Sequence, residues 1–389
     1  MPSDNVKGLL CDVEAEPLAR YRQGGYHPVR LGDLFKNGRY RVIHKLGFGG
    51  YSTVWAARDE IANRNVALKI ETSETFSTSR ELEILQICSR SQNEPGSEYI
   101  SKLLDAFRHD GPNGSHHCLI LDILGSNVPA VLDEKFEGAS LPREVATAVI
   151  KEVLCGLSYL HKQELAHGDI HTGNICFSAP SLAAATEGEL LRILGSARIG
   201  EVYGQLEQSH TQGIPEYLVW PSHVPVTDVS TRTPIKIIDF GQSFTKSTKP
   251  RTLKTPLVLR PPEVLLDDDW DRHVDLWAAG CTIFELITGQ PPFDSIMATN
   301  ETLLQQMIES IGELPPMWQD KVPHDHSQKD TSTLQEWLEE LVFDVDHPPE
   351  FRQEEVKEIG SLIGQLMRFN PSERISAGEA YRIWNSHFP

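Results

Sequence analysis

The sequence predicts an α+β fold in two parts, a smaller strand-rich part with one helix followed by a larger, mainly helical part. Three observations carry this. From Tyr40 onward, short apolar runs rich in β-branched residues are separated by Gly, Asn or Asp. From Leu141 the apolar period lengthens to three or four residues. At 389 residues the chain also exceeds the usual size of one compact domain.

In chain order, residues 1–39 are polar and Gly-dotted and end near Asn37-Gly38, a turn signal before the first strand-like run, so they form an N-terminal extension. The runs YRVIHKLG, STVWAARD and NVALKIE then read as three antiparallel strands. Residues 79–89 place Leu82, Leu85 and Cys88 on one helical face, and CLILDIL at 118–124 reads as a buried strand that closes the smaller lobe, residues 40–124. In the larger lobe, residues 125–389, Val145, Val149, Val153, Leu157 and Leu160 define a helix running to His161. Further helices are expected at 273–288, 301–311, 334–342, 353–369 and 376–384. An Ala-, Ser-, Thr- and Pro-rich insertion at about 178–233 interrupts this lobe, with one short helix expected at Glu187–Leu194.

Composition narrows the function classes. The formal net charge of −19 disfavours direct nucleic-acid binding and suits a basic partner. Six cysteines with no C-x-x-C pair and no regular spacing suggest neither a zinc site nor a disulfide framework. The acidic N-terminus lacks the long apolar run of a secretory signal, and no stretch approaches a membrane span; cytoplasm, nucleus or both is the expected location.

Three constellations carry chemistry. In Gly47-Phe48-Gly49-Gly50-Tyr51-Ser52-Thr53-Val54, small residues in a strand-turn-strand let backbone N–H groups close over phosphate oxygens, although Ser52 replaces the third glycine of G-x-G-x-x-G-x-V. Lys69 ends the apolar run Val66-Ala67-Leu68, about 20 residues on, where its amine would pair the phosphates while a helix carboxylate holds it. Glu81 is the expected carboxylate, with Glu83 as the alternative. The third is His167-Gly168-Asp169-Ile170-His171-Thr172-Gly173-Asn174, joined later by Asp239-Phe240-Gly241. Phosphoryl transfer needs a carboxylate to take the proton of the attacking hydroxyl and oxygen ligands for Mg²⁺; Asp169 fits the first need, Asn174 and Asp239 the second. A downstream set is architectural: Pro261-Pro262-Glu263, Asp275-Leu276-Trp277 and Arg374, with Glu263 and Arg374 expected to pair and Asp275 expected to cap the catalytic loop.

In this order the motifs resemble those of eukaryotic protein kinases over residues 40–389. The resemblance implies a bilobal kinase-like fold whose smaller lobe is a five-stranded antiparallel sheet with one main helix, with ATP and Mg²⁺ bound between the lobes. It further implies that Leu46, Gly47, Gly49, Val54, Ala67, Lys69, Leu121, Asp122 and Leu124 contact the nucleotide, Leu121 as gatekeeper and Asp122–Leu124 as hinge. Asp169, Lys69, Glu81 and His171 would form the catalytic set, with Asn174 and Asp239 on the metal. Tyr21-Arg22-Gln23-Gly24-Gly25-Tyr26-His27-Pro28-Val29-Arg30, the Ser in FGGYSTVW and the place of the insertion look more specifically like the serine/arginine-rich-protein-specific kinases. That likeness implies Arg-Ser-rich splicing factors as substrates and a monomeric enzyme. The segment 300–318 resembles the start of a helical insert in the same group.

The chain departs from the wider kinase pattern at two positions. Gly168 replaces the usual Arg, leaving no guanidinium to receive a phosphate, so activation by phosphorylation within Gln242–Leu259 is not expected. His171 replaces the usual Lys, which would remove a cationic contact to the transferring group and lower turnover. Two other readings follow: an ATP-binding protein with weak or no transfer, and a small-molecule phosphotransferase, whose H-G-D-x-H-x-G-N loop HGDIHTGN resembles. Asp267-Asp268-Asp269 reads either as part of an acidic substrate surface or as a solvated turn.

Overall fold

The computed structural model describes residues 9–91, 93–136, 140–204, 213–222, 224, 229–294, 297–321, 332–343 and 350–388. The chain forms two compact units, the first from Met1–Gln86, Ser101–Ser126 and Phe177–Thr227 and the second from Ile87–Ile100, Asn127–Cys176 and Asp228–Pro389.

The first unit is built on an antiparallel sheet of six strands in the order β1-β2-β3-β4-β6-β5: β1 Leu34–Phe35, β2 Tyr40–Gly49, β3 Ser52–Asp59, β4 Arg64–Glu71, β5 Leu103–Gly111 and β6 Gly114–Leu121. Five strands were expected, and β1 is the addition. Asn37-Gly38 is the turn of a hairpin rather than the end of a loop, and it folds Leu34–Phe35 back on Tyr40–Arg41. Burial explains the added strand: Phe35 lies in one core with Tyr40, Trp55, Leu68 and Ile120. The extension is part of this unit's interior, since Tyr21, Tyr26 and Val29 are also buried. The helix α1, Glu81–Arg90, follows the third long strand, with two carboxylates in its first turn, where the helix dipole favours them.

The insertion also differs from its expected place in the helical lobe. Its described residues up to Val224 pack within the first unit, through two short helices, Pro180–Ala184 and Glu187–Leu194, and a strand pair, Ile199–Glu201 with Tyr217–Val219. Leu182, Leu190 and Leu194 share a core with Ile43 and Ala56, and the Asn65 amide donates to the carbonyls of Leu182 and Ala185 at 2.8 and 2.9 Å. The helix Glu187–Leu194 matches its expected bounds because Thr186 and Glu189 form a reciprocal cap at its start.

The second unit is helical. Arg143–Lys162 buries one face along most of its length, and Val274–Thr288 is buried nearly all round, ending at Gly289 in the left-handed conformation. Further helices include Asn300–Ile311, Leu334–Val342, Gln353–Leu366 and Ala377–His387. Glu263 and Arg374 form a buried two-point ion pair, both bonds 2.7 Å long. Arg374 also donates to the carbonyls of Arg368, His273 and Phe369, so the buried guanidinium is well satisfied.

Candidate active site

The first unit contains a glycine loop, a buried amine and a strand end. Strands β2 and β3 pair Gly47 with Val54 and Gly49 with Ser52, leaving Gly50-Tyr51 as the turn. A Cβ added at Gly47, Gly49 or Gly50 would meet no protein atom within 4 Å, so packing does not demand glycine there.

Strand pairing sets Lys69 between Val54 and Leu119, and burial leaves it 7% exposed. Its ammonium lies 2.7 Å from both carboxylate oxygens of Glu81. Glu83 instead forms an exposed pair with Arg80, so of the two carboxylates weighed from the sequence it is Glu81 that holds the amine. Ala67 pairs with Leu121 at the end of β6, and Asp122 and Leu124 follow on the connecting segment around buried Ile123. Leu46 is partly buried against the core that contains Ile43 and Ile123.

Within the second unit, the backbone of the loop from His167 to Asn174 is fixed by hydrogen bonds. Asp275 accepts N–H bonds from His167 and Gly168, both 2.8 Å, and lies 3.0 Å from the His161 ring. Burial pushes the His167 pKa down, which keeps the ring neutral. Its Nδ1 then accepts the Asp169 N–H at 3.2 Å while Nε2 donates to the Ile238 carbonyl at 3.0 Å. The carbonyl of His167 receives the Ser243 hydroxyl, and that of Gly168 the Thr255 hydroxyl at 2.6 Å.

On this frame Asp169, His171 and Asn174 come together. The Asn174 amide nitrogen donates to the Asp169 carbonyl at 2.9 Å and lies 3.4 Å from Asp169 Oδ2. His171 Nδ1 accepts the Gly173 N–H at 3.1 Å, so its other nitrogen carries the proton, 3.8 Å from Asp169 Oδ2. Asp169 Oδ1 is buried with no hydrogen-bond partner among the described residues, an unusual state for a carboxylate oxygen. Asn174 O receives the Ile238 N–H at 3.0 Å, which joins this loop to the residue before Asp239. Asp239 has φ 62°, a left-handed conformation rare for a non-glycine residue and typical of strained functional positions.

The donor set fits a small hard cation. With its nitrogen committed to Asp169, the Asn174 amide offers an oxygen, and Asp239 offers a carboxylate; few protein oxygens supplemented by phosphate and water suit Mg²⁺. No cluster of three or more His, Cys, Asp or Glu suited to a metal occurs among the described residues.

Sequence reasoning missed several partners. Ser243 and Thr255 hold the loop by side-chain hydroxyls, and Thr172 donates to Glu285 at 2.8 Å, where burial raises the Glu285 pKa. Hydroxyl-to-carbonyl bonds between segments distant in sequence leave no periodic signal. Asp268, one of the three consecutive aspartates, accepts from the Trp318 indole at 2.5 Å and lies 3.4 Å from the Lys321 amine, so it has local partners.

A protein-family profile described as a protein kinase domain matches residues 40–211 and 226–384. The chain is 30% identical over 403 residues to a serine/threonine-protein kinase SRPK of Physarum polycephalum, covering 97% of this chain and 92% of the relative. It is 38% identical over 174 residues to the serine/threonine-protein kinase SKY1 of Saccharomyces cerevisiae, covering 42% and 23%. With the SRSF protein kinase 3 of Homo sapiens it shares 39% identity over 178 residues, 44% of this chain and 31% of the relative.

Proposed function

The chain belongs to the protein kinase family as an ATP-dependent serine/threonine kinase of the SRPK type, and from that premise we propose that it transfers the γ-phosphate of ATP to serines in Arg-Ser-rich proteins such as splicing factors. In this reading the N–H groups around Gly47 and Gly49 cover the phosphates, Lys69 pairs with them, and Glu81 keeps the amine oriented. Leu46, Val54, Ala67 and Leu121 contact the nucleotide, and Asp122 and Leu124 hold the adenine by their backbone. Asn174 and Asp239 hold Mg²⁺, which when bound neutralises charge on the phosphates.

Asp169 takes the serine proton as the hydroxyl oxygen bonds to the γ-phosphorus; the bond from that phosphorus to the bridging oxygen breaks and ADP leaves. The orphaned, buried Oδ1 of Asp169 is the observation that carries this assignment, because a buried acceptor without a donor gains most from receiving one. His171 Nε2, at the position of the usual lysine, lies 3.8 Å from Oδ2 of the same carboxylate, beyond hydrogen-bond distance.

The substrate class rests on two supports. A relative over part of the chain is named an SRSF protein kinase, and the net charge of −19 favours encounter with cationic segments. A peptide-library phosphorylation profile with Mg²⁺ and ATP tests it. The expected result is a serine acceptor flanked by arginine. A profile indifferent to arginine would reject the substrate class and leave kinase activity standing, whereas labelled phosphate appearing only on small molecules would reject the protein substrate altogether.

A further inference from the structure

The motif from Tyr21 to Arg30 is not used by the chemistry above, yet the structure puts it against the glycine loop. Tyr26 is 1% exposed, and its hydroxyl donates to the carbonyl of Gly49 at 2.7 Å. A short loop carrying glycines at 47, 49 and 50 has few side chains to hold it, so such an anchor matters more than it would elsewhere. The Arg20 guanidinium sits 5.2 Å from the Tyr26 ring and 5.4 Å from the ring of Tyr51 at the loop's turn. Arg20 is itself held by Glu74 at 2.5 Å.

The anchor is seated by its own small core. Tyr21, Tyr26, Val13 and Leu218 pack together, and the wholly buried Lys45 of β2, four residues before Gly49, pairs with Glu16, which also receives the Tyr21 hydroxyl. Gly25 is required for this geometry: a Cβ there would overlap the Arg20 carbonyl oxygen, which accepts the Tyr26 N–H at 3.0 Å. The extension therefore grips β2 at Lys45 and again at Gly49, the last residue before the turn.

We propose that Tyr26 is a positioning residue for the glycine-rich loop, so that the N-terminal extension sets part of the enzyme's affinity for nucleotide. A loop held in place before binding loses less conformational freedom on closing over phosphates, and that saving appears as affinity. The inference rests on the reading of this loop as the phosphate cover.

The test compares Tyr26→Phe with Tyr21→Phe in the full chain. Each removes one hydroxyl bond made by a tyrosine of the extension, Tyr26 to Gly49 and Tyr21 to Glu16, but only the first touches the loop. Tyr26→Phe should speed hydrogen exchange of the amides at 47–53, raise the MgATP Kd about 3- to 10-fold, the worth of one neutral hydrogen bond, and leave the KM for peptide unchanged. Tyr21→Phe should do neither of the first two. Equal effects of the two variants, or none from Tyr26→Phe, would overturn the proposal. Were the parent chain to bind no MgATP, the kinase reading would fail, and the exchange difference alone would still decide whether Tyr26 positions the loop.

Discussion

Gly168 stands where most protein kinases carry arginine, and its backbone shows why a side chain does not fit. Its φ is +78°, and an added Cβ would lie 2.6 Å from the carbonyl oxygen of Gln242. The left-handed conformation alone costs a non-glycine residue of this kind about 1–3 kcal/mol. Gly168→Ala should therefore lower the urea unfolding free energy by at least that amount, and a change within about 0.5 kcal/mol, the range of neutral surface substitutions, would contradict the geometry. From the sequence the glycine was legible only as a missing charge. Its conformational role depends on Gln242, a contact that spacing along the chain does not report.

At the scale of the element, hydroxyls, strand pairing and the Lys249 amine help tie down the segment from Gln242 to Leu259. Ser243 and Thr255 donate to the catalytic loop's carbonyls, Lys249 reaches the Trp270 carbonyl at 2.8 Å, and Phe244–Thr245 pairs with Leu165–Ala166. No phosphate is needed to hold these bonds. Phosphatase-treated protein should match untreated protein in kcat, and a large rise in activity after phosphorylation within this segment would overturn the prediction.

The elements themselves were readable to different depths. Strands β2 to β4 were legible because alternation and Gly or Asn punctuation are local signals, and the helix Glu187–Leu194 because its cap lies within four residues. Strand β1 was not, since two residues carry no alternation and only the folded hairpin reveals the pairing. The strand pair in the insertion was missed for a similar reason, its three-residue partners lying 16 or more positions apart. Lys69, Asp169, Asn174 and Asp239 were legible as motifs, whereas Tyr26 was a resemblance without a role until its hydroxyl was seen on Gly49.

Across the whole molecule, buried imidazoles make stability depend on pH. Burial, reinforced by His109 and His116, pushes the His27 pKa down to about 3, and burial likewise lowers those of His109, His116 and His167. In the unfolded chain each titrates near 6.5. Below that value the unfolded state binds more protons than the native one, so the stability these rings confer is complete above about pH 6.5 and is lost as pH falls toward 3. Arg143 holds the Glu355 pKa down to about 2, which adds a loss of the same sign below the ordinary carboxylate range. Denaturant unfolding from pH 7 to 4 should show falling stability, with a slope in His27→Gln shallower by up to about 1.4 kcal/mol per pH unit. Parent and variant carry the same carboxylates, so their difference isolates the ring; identical slopes would contradict its burial as a neutral base.

The account turns on Asp169 as the group that receives the serine proton. Asp169→Asn keeps the side chain's size and leaves Lys69, Asn174 and Asp239 unchanged, so the variant should bind MgATP as the parent does while phosphate transfer to an Arg-Ser peptide falls by about 10²- to 10⁴-fold. Transfer at the parent rate with the variant would contradict the central claim directly.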